Sequence, residues 1–289
     1  MNTCQKIFSV CAITLLTQAA LAQSTPQLGS AVGFAVLSAP SAGGAVTCTD
    51  SLISGDVGSS GLPASIVQTR CSISGALVAP VPAQVVTDFD AAYAKLALQG
   101  CTQTFAEAAF TDTSLTVAPG VICFPAGATF TRTTITLKGG ANDLWIFKVG
   151  TEAPGALTGT GLSVVMDGGQ ACNVYWWVDA ATTLTTSGFQ GTILSGAAIT
   201  ATGLANPDTA FNGNMLAKAA VTLTNFSLTG CEGGIPNPAP SKKKHCNQGV
   251  GNGPEACDPG NSNQGNPLRS NDELGGVPGN PGRKGGNNK

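Results

Sequence analysis

Few residues in this 289-residue chain are equipped for acid–base or metal chemistry. There is one histidine, His245, and the acidic side chains are scattered. Asp56 sits between Gly55 and Gly58, a tight corner where a carboxylate accepts bonds from nearby backbone. Asp143, Asp167 and Asp179 each lie beside a Gly or Ala turn. They make no paired set of the kind that polysaccharide cleavage needs. His245-Cys246 and Cys257-Asp258 supply too few ligands for zinc and read as a local disulfide. Asp258, Asn261, Asn263 and Asp272 match no calcium-loop spacing. The sequence therefore predicts no catalytic residue, no metal site and no cofactor. What it does repeat is threonine at alternate positions: Thr183-Leu184-Thr185, then Ala198-Ile199-Thr200-Ala201-Thr202, then Val221-Thr222-Leu223-Thr224. A threonine hydroxyl exchanges hydrogen bonds with water, and β-branching fixes χ1, so hydroxyl and methyl take set positions. On a rigid surface such side chains order water; they do not transform a substrate.

The elements that must hold those threonines follow from the spacing. Alternation with a period of two is the signature of a β-strand, whose successive side chains point to opposite faces. Gly188, Gly191, Gly196, Gly203, Gly213 and Gly230 punctuate the runs as turns require. The gaps are too short for the crossover helices of an ordinary parallel α/β sheet. Short strands about one coil apart predict a β-solenoid in which each turn stacks on the last. Leu184, Ile199 and Leu223 then fill the inside, and Thr183, Thr185, Thr200, Thr202, Thr222 and Thr224 form rows outside. Leu115–Val117, Phe130–Lys138, Leu144–Phe147, Leu162–Met166 and Asn173–Val178 supply further strands. The near-continuous apolar runs among them, Leu162–Met166 included, suit strands buried on both sides. The Trp residues within them read as core filling.

Residues 84–99 change period. Val85, Val86, Phe89, Ala92, Tyr93 and Leu96 recur at three and four, which predicts one amphipathic helix along the flank of the solenoid. Thr87 is placed to cap it, with Asp88 and Asp90 in its first turn and Gly100 at its stop. Cys101 is placed to tie its end down.

Residues 1–22 have the shape of a secretory signal: Lys6, the apolar run Ile7–Leu16, and the small-x-small site Ala20-Leu21-Ala22. That apolar run is too short to span a membrane. The expectation is a secreted, extracellular protein, with a periplasmic or cell-surface-attached form also open. Of ten cysteines, Cys4 and Cys11 fall in the signal. Cys48, Cys71, Cys101, Cys123, Cys172, Cys231, Cys246 and Cys257 remain as disulfide candidates, with connectivity open. Charged residues make up 10% of the chain and net charge is −2, which argues against nucleic acid as a partner. Residues 23–232 form the expected folded domain. Residues 233–289, rich in Gly, Pro and Asn, bury too little apolar surface to fold and read as a disordered tail.

Several of these segments resemble the microbial ice-binding protein family. They are Leu28–Leu37, Ile53–Gly58, Pro119-Gly120-Val121, Leu144–Gly150, Asn173–Val178, Phe189–Leu194, Ala198-Ile199-Thr200 and Met215–Leu223. The resemblance covers about residues 28–229. It implies a mainly β fold, a discontinuous right-handed β-helix with one long α-helix along its side. It also implies that a flat face of that helix binds ice, so the expected partner is an ice crystal surface. The protein is separately expected to be a monomer without catalysis. Six cysteines in the folded part depart from the commoner family pattern and point to a more cross-linked coil. The expected function is antifreeze action, or inhibition of ice recrystallisation, through the threonine face. The alternative is a non-catalytic cell-surface structural or adhesion module on the same scaffold.

Overall fold

The computed structural model describes residues 25–203 and 210–231. The secretory signal, Cys246, Cys257, His245 and the C-terminal segment 233–289 lie outside the described residues. Among the described residues, parallel strands stack into a β-helix with three faces. A typical turn contributes Val174–Val178 to the first face, Thr182–Thr185 to the second and Phe189–Gln190 to the third. The first face is a nine-stranded sheet covered by the helix, and the second is an eight-stranded sheet that no described element covers. The third is split into sheets of three and five strands.

The stack does not follow chain order. Two turns come first: Phe34–Ser38, Val46–Thr49 and Leu52–Ser54, then Asp56–Ser59, Ile66–Thr69 and Ser72–Ile73. After Leu77–Val78 the α-helix Ala83–Ala97 carries the chain to the opposite edge of the covered sheet, at Gln103–Thr104. The remaining turns wind back until Met215–Ala217, Val221–Thr224 and Ser227–Thr229 pair with the very first turn.

The strands of the covered sheet are buried on both sides, which is why they read as unbroken apolar runs. Val36, Phe147, Trp176 and Ile193 point inward. Leu37, Ile146, Tyr175, Trp177 and Leu194 point outward against Val85, Phe89, Ala92 and Leu96 of the helix. Inside the coil, Phe147 stacks on Trp176 at 3.9 Å between ring centroids, and Phe189 stacks on Phe211 at 5.3 Å. The three Trp side chains are buried, as expected.

The helix is where expected, but its ends are set differently. It starts at Ala83 behind Pro82, so Thr87 lies inside it and its hydroxyl donates back to Ala83 O at 3.1 Å. Asp88 is past the first turn and instead accepts from Ser30 N and Oγ, both at 2.7 Å, clamping the 3₁₀ turn Gly29–Gly33 to the helix. The helix ends at Ala97, before Gly100. Lys148 from the covered sheet donates to Ala97 O at 2.7 Å and Gln99 O at 2.6 Å. A cation there suits the negative end of the helix dipole. Sequence periodicity shows the apolar stripe but not a capping group fifty residues away.

Leu162–Met166 also differs from expectation. Ser163–Asp167 lies on the third face, with Val165 exposed. Its apolar run is half-buried because the one described α-helix lies over a different face.

Three disulfides cross-link the described coil. Cys48–Cys71 ties the chain just past the terminal strand Ile66–Thr69 to the neighbouring strand Val46–Thr49, and Cys101–Cys123 fastens the chain just past the helix to the covered sheet. Cys172–Cys231 holds the last described residue against the turn before Val174–Val178.

Candidate ice-binding face

Six of the eight strands of the uncovered sheet carry one repeated unit, two threonines around a small or apolar residue, followed by a corner; the two end strands keep the second threonine. Its strands stack in the order Ile66–Thr69, Val46–Thr49, Val221–Thr224, Ile199–Thr202, Thr182–Thr185, Leu157–Thr160, Ala128–Thr131 and Ala109–Thr111. The middle residue of each unit points inward and is buried in all but the terminal strand Ile66–Thr69, where Gln68 takes that place; examples are Cys48, Leu223, Ala201, Leu184 and Phe130. Gly159 holds this position in its strand because a Cβ there would meet Leu162 and Leu184 at 3.1 Å.

Unbroken parallel register turns the outward residues into two rows. One row runs Thr69, Thr49, Thr224, Thr202, Thr185, Thr160, Thr131, Thr111. The other runs Val67, Thr47, Thr222, Thr200, Thr183, Thr158, Thr129, Ala109. The second row is threonine throughout except at its two ends. Eight strands at about 4.7–4.8 Å make a face about 33 Å long, with rows about 6.6–6.8 Å apart.

The six threonines predicted from the sequence all lie on this face. Thr183, Thr200 and Thr202 are exposed, and Thr185, Thr222 and Thr224 are half-exposed. Sequence reasoning missed Thr47, Thr49, Thr129, Thr131, Thr158 and Thr160, with Thr69 and Thr111 at the ends. The signal was present in Thr47-Cys48-Thr49, Thr129-Phe130-Thr131 and Thr158-Gly159-Thr160. A second part of it lies in the corner that follows. Asp50, Arg70, Asp112, Arg132, Gly161, Thr186 and Asn225 all adopt positive φ directly after their strands. The pair Thr134-Ile135-Thr136, similar by eye, runs straight on into Leu137 and sits on the third face.

Charge is kept to the margins. Within the two rows there is no ionisable side chain. At one end of the flanking corner Arg70 forms a two-pronged ion pair with Asp50, its Nη2 2.6 Å from Asp50 Oδ2. At the other, Arg132 Nε and Nη2 reach the Asp112 carboxylate at 2.6 and 2.7 Å. The guanidinium beside each carboxyl holds it below the usual carboxylate range. Between the two pairs the corners are Asn225, Gly203, Thr186 and Gly161, all neutral.

No cluster of three or more His, Cys, Asp or Glu suited to a metal occurs among the described residues. Asp143 accepts from Gly140 N at 2.7 Å, and Asp56 accepts from Ala76 N at 2.7 Å on the adjacent turn. Asp167 lies 3.9 Å from Lys138. These carboxylates serve turns and strand ends rather than one shared site.

A sequence profile of a family described as Ice-binding-like matches residues 38–229. The chain belongs to that family. An "Ice-binding protein" of Flavobacterium frigoris (strain PS1) is 31% identical over 218 residues, covering 70% of this chain and 75% of that protein. Among solved structures, an ice-binding protein from the Antarctic ascomycete Antarctomyces psychrotrophicus superposes with a TM-score of 0.60 at 26% identity, over 71% of this chain and 98% of that one. The Shewanella frigidimarina ice-binding protein domain gives 0.57 at 25% identity, over 72% and 98%. The matched residues include all eight strands of the threonine sheet, from Val46 to Thr224, so the face lies inside the region that defines the family.

Proposed function

We propose that the protein is an exported ice-binding protein that adsorbs to ice through the two threonine rows of the uncovered sheet. The observation that carries this reading is the unbroken register of those rows over eight strands, free of charge between the corner ion pairs. Side chains locked by β-branching and by a stacked backbone hold hydroxyls and methyls on a fixed grid. Hydroxyls anchor waters, and methyls limit competing hydrogen bonds, so hydration at the face is already arranged like a crystal layer. An ice front meeting many such molecules curves between them and stops growing. This action uses no catalytic step and no cofactor. Disulfides in the folded coil fit an oxidising, extracellular setting.

The test is a single ice crystal observed in purified protein, with thermal hysteresis and recrystallisation measured alongside. Faceting of the crystal and a freezing gap are expected. Crystals that grow as in buffer at micromolar protein would refute the reading.

A further inference from the structure

Among the described residues, the β-helix ends in strands with a neighbour on one side only. In the threonine sheet these are Ile66–Thr69 at one end and Ala109–Thr111 at the other. In the covered sheet they are Leu77–Val78 and Gln103–Thr104, and on the third face Ser72–Ile73 and Ser114–Val117. Every strand pair in the stack is parallel, so a second copy placed head to tail brings a strand of matching direction to each edge. The fold already contains one junction of this type. Its first and last turns are remote in sequence, yet they pair in all three faces.

The ends also differ in charge. Beside the threonine rows the outermost corner residue at one end is Arg70, with Asp50 one turn in. At the other end it is Asp112, with Arg132 one turn in. Head-to-tail stacking gives the alternating row Asp50, Arg70, Asp112, Arg132, whereas head-to-head stacking opposes Arg70 to Arg70. Apolar side chains lie exposed at the first end, Val67 at 48% and Leu77 at 47%.

We propose that the two ends of the β-helix form a heterologous interface for a second copy of this chain, joined head to tail. Both threonine rows then continue across the junction, Thr69 to Thr111 and Val67 to Ala109. Such a contact does not close on itself, so copies add in line. The proposal stands on edge geometry and charge, and holds whether or not the face binds ice.

Cross-linking of the full chain tests it. Single variants Val67→Cys and Ala109→Cys are mixed and treated with a short bismaleimide, with the unsubstituted chain setting the background. The mixed product is expected to exceed either self-linked product by about tenfold, equivalent to ~1.4 kcal/mol. Asp112→Arg in the Ala109→Cys copy should abolish that excess, and Arg70→Asp in its partner should restore it. Circular dichroism and the melting temperature establish that each variant is folded. Self-linked products as abundant as mixed ones, or a mixed product indifferent to charge reversal, would overturn the proposal.

Discussion

Thr200→Tyr isolates the geometry of the face from the stability of the fold. Thr200 is fourth of eight in its row, its side chain is exposed, and its partners in register are Thr183 and Thr222. A tyrosine ring there projects beyond the hydroxyls and methyls of the neighbouring threonines. A flat crystal layer resting on that ring loses contact with the turns on both sides of it, so most of the 33 Å face is lifted at once. Thermal hysteresis should fall by about an order of magnitude. The same change at Thr111 perturbs one terminal strand of eight, and hysteresis should fall by only a small fraction. Thr136→Tyr, on the third face, should leave it unchanged. Exposed substitutions of this kind shift stability by about 0.5 kcal/mol or less. For a domain of this size that is a change of about 1–2 °C in the melting temperature. The assay is nanolitre osmometry at fixed protein concentration, with calorimetry on the same samples. Equal losses at Thr200, Thr111 and Thr136 would show that the threonine sheet is not the adsorbing surface.

Other perturbations separate scaffold from face. Lys148→Met removes the donor to two carbonyls at the helix end and should destabilise by about 1–3 kcal/mol, read as a lower melting temperature with hysteresis near 0 °C retained. Replacing Cys48 and Cys71 by Ser opens a loop of 23 residues, a loss of about 3 kcal/mol in chain-entropy terms. It should also weaken ice activity, because the freed terminal strand carries Thr69. Acid should act through Asp88, whose carboxyl is held below its ordinary value by hydrogen bonds from Ser30 and Gln84. A depressed carboxyl pKa contributes stability above the unfolded value near 3.8, which is lost as pH falls through the lower folded value. The melting temperature should therefore be level from about pH 5 to 8 and decline below about pH 4. Ice activity should be level over the same neutral range, since the rows hold no titrating group.

The β-helix, its flanking helix and six of the face threonines were legible in the sequence, because each rests on local periodicity. The alternation in Thr182–Thr185 is imposed by one strand, and the stripe Val85, Phe89, Ala92, Leu96 by one helix. What was not legible depends on which strands become neighbours. Thr47 and Thr49 lie about 175 residues before Thr222 and Thr224, and adjoin them only because the last turn closes on the first. Thr134 and Thr136 show the same alternation, yet occupy a different face. The deciding residue is the one after the second threonine: in seven of the eight strands a positive-φ corner ends the strand on the uncovered sheet, while Leu137 extends it on the third face. Helix ends were misplaced for a related reason. Thr87 has the type of a cap, but Pro82 starts the helix one turn earlier, and the C-terminal carbonyls are met by Lys148 from a strand.

Three faces of one coil thus meet three different fates, and the side chains decide which. Where outward residues are Leu37, Ile146, Trp177 and Leu194, water is a poor neighbour and the helix must cover them. Where they are mixed, as with Val165, Lys138 and Gln190, the sheet splits and its strands shorten. Where they are threonine at every turn, no cover is required and the register runs without interruption. The covered face contributes to the bare one. Helix packing, the Lys148 bonds and Cys101–Cys123 brace the side of the coil away from the threonine sheet, and the stacked rings of Phe147, Trp176, Phe189 and Phe211 fill the space between. A close-packed interior of this kind yields little under load. The position of the threonine rows therefore depends on the whole coil, and a variant that hollows the core, such as Trp176→Ala, should reduce ice activity while leaving every threonine in place. At about 3–5 kcal/mol the same change should lower the melting temperature markedly. Hysteresis measured well below that temperature, and still at its full value, would show that local β-branching alone holds the grid.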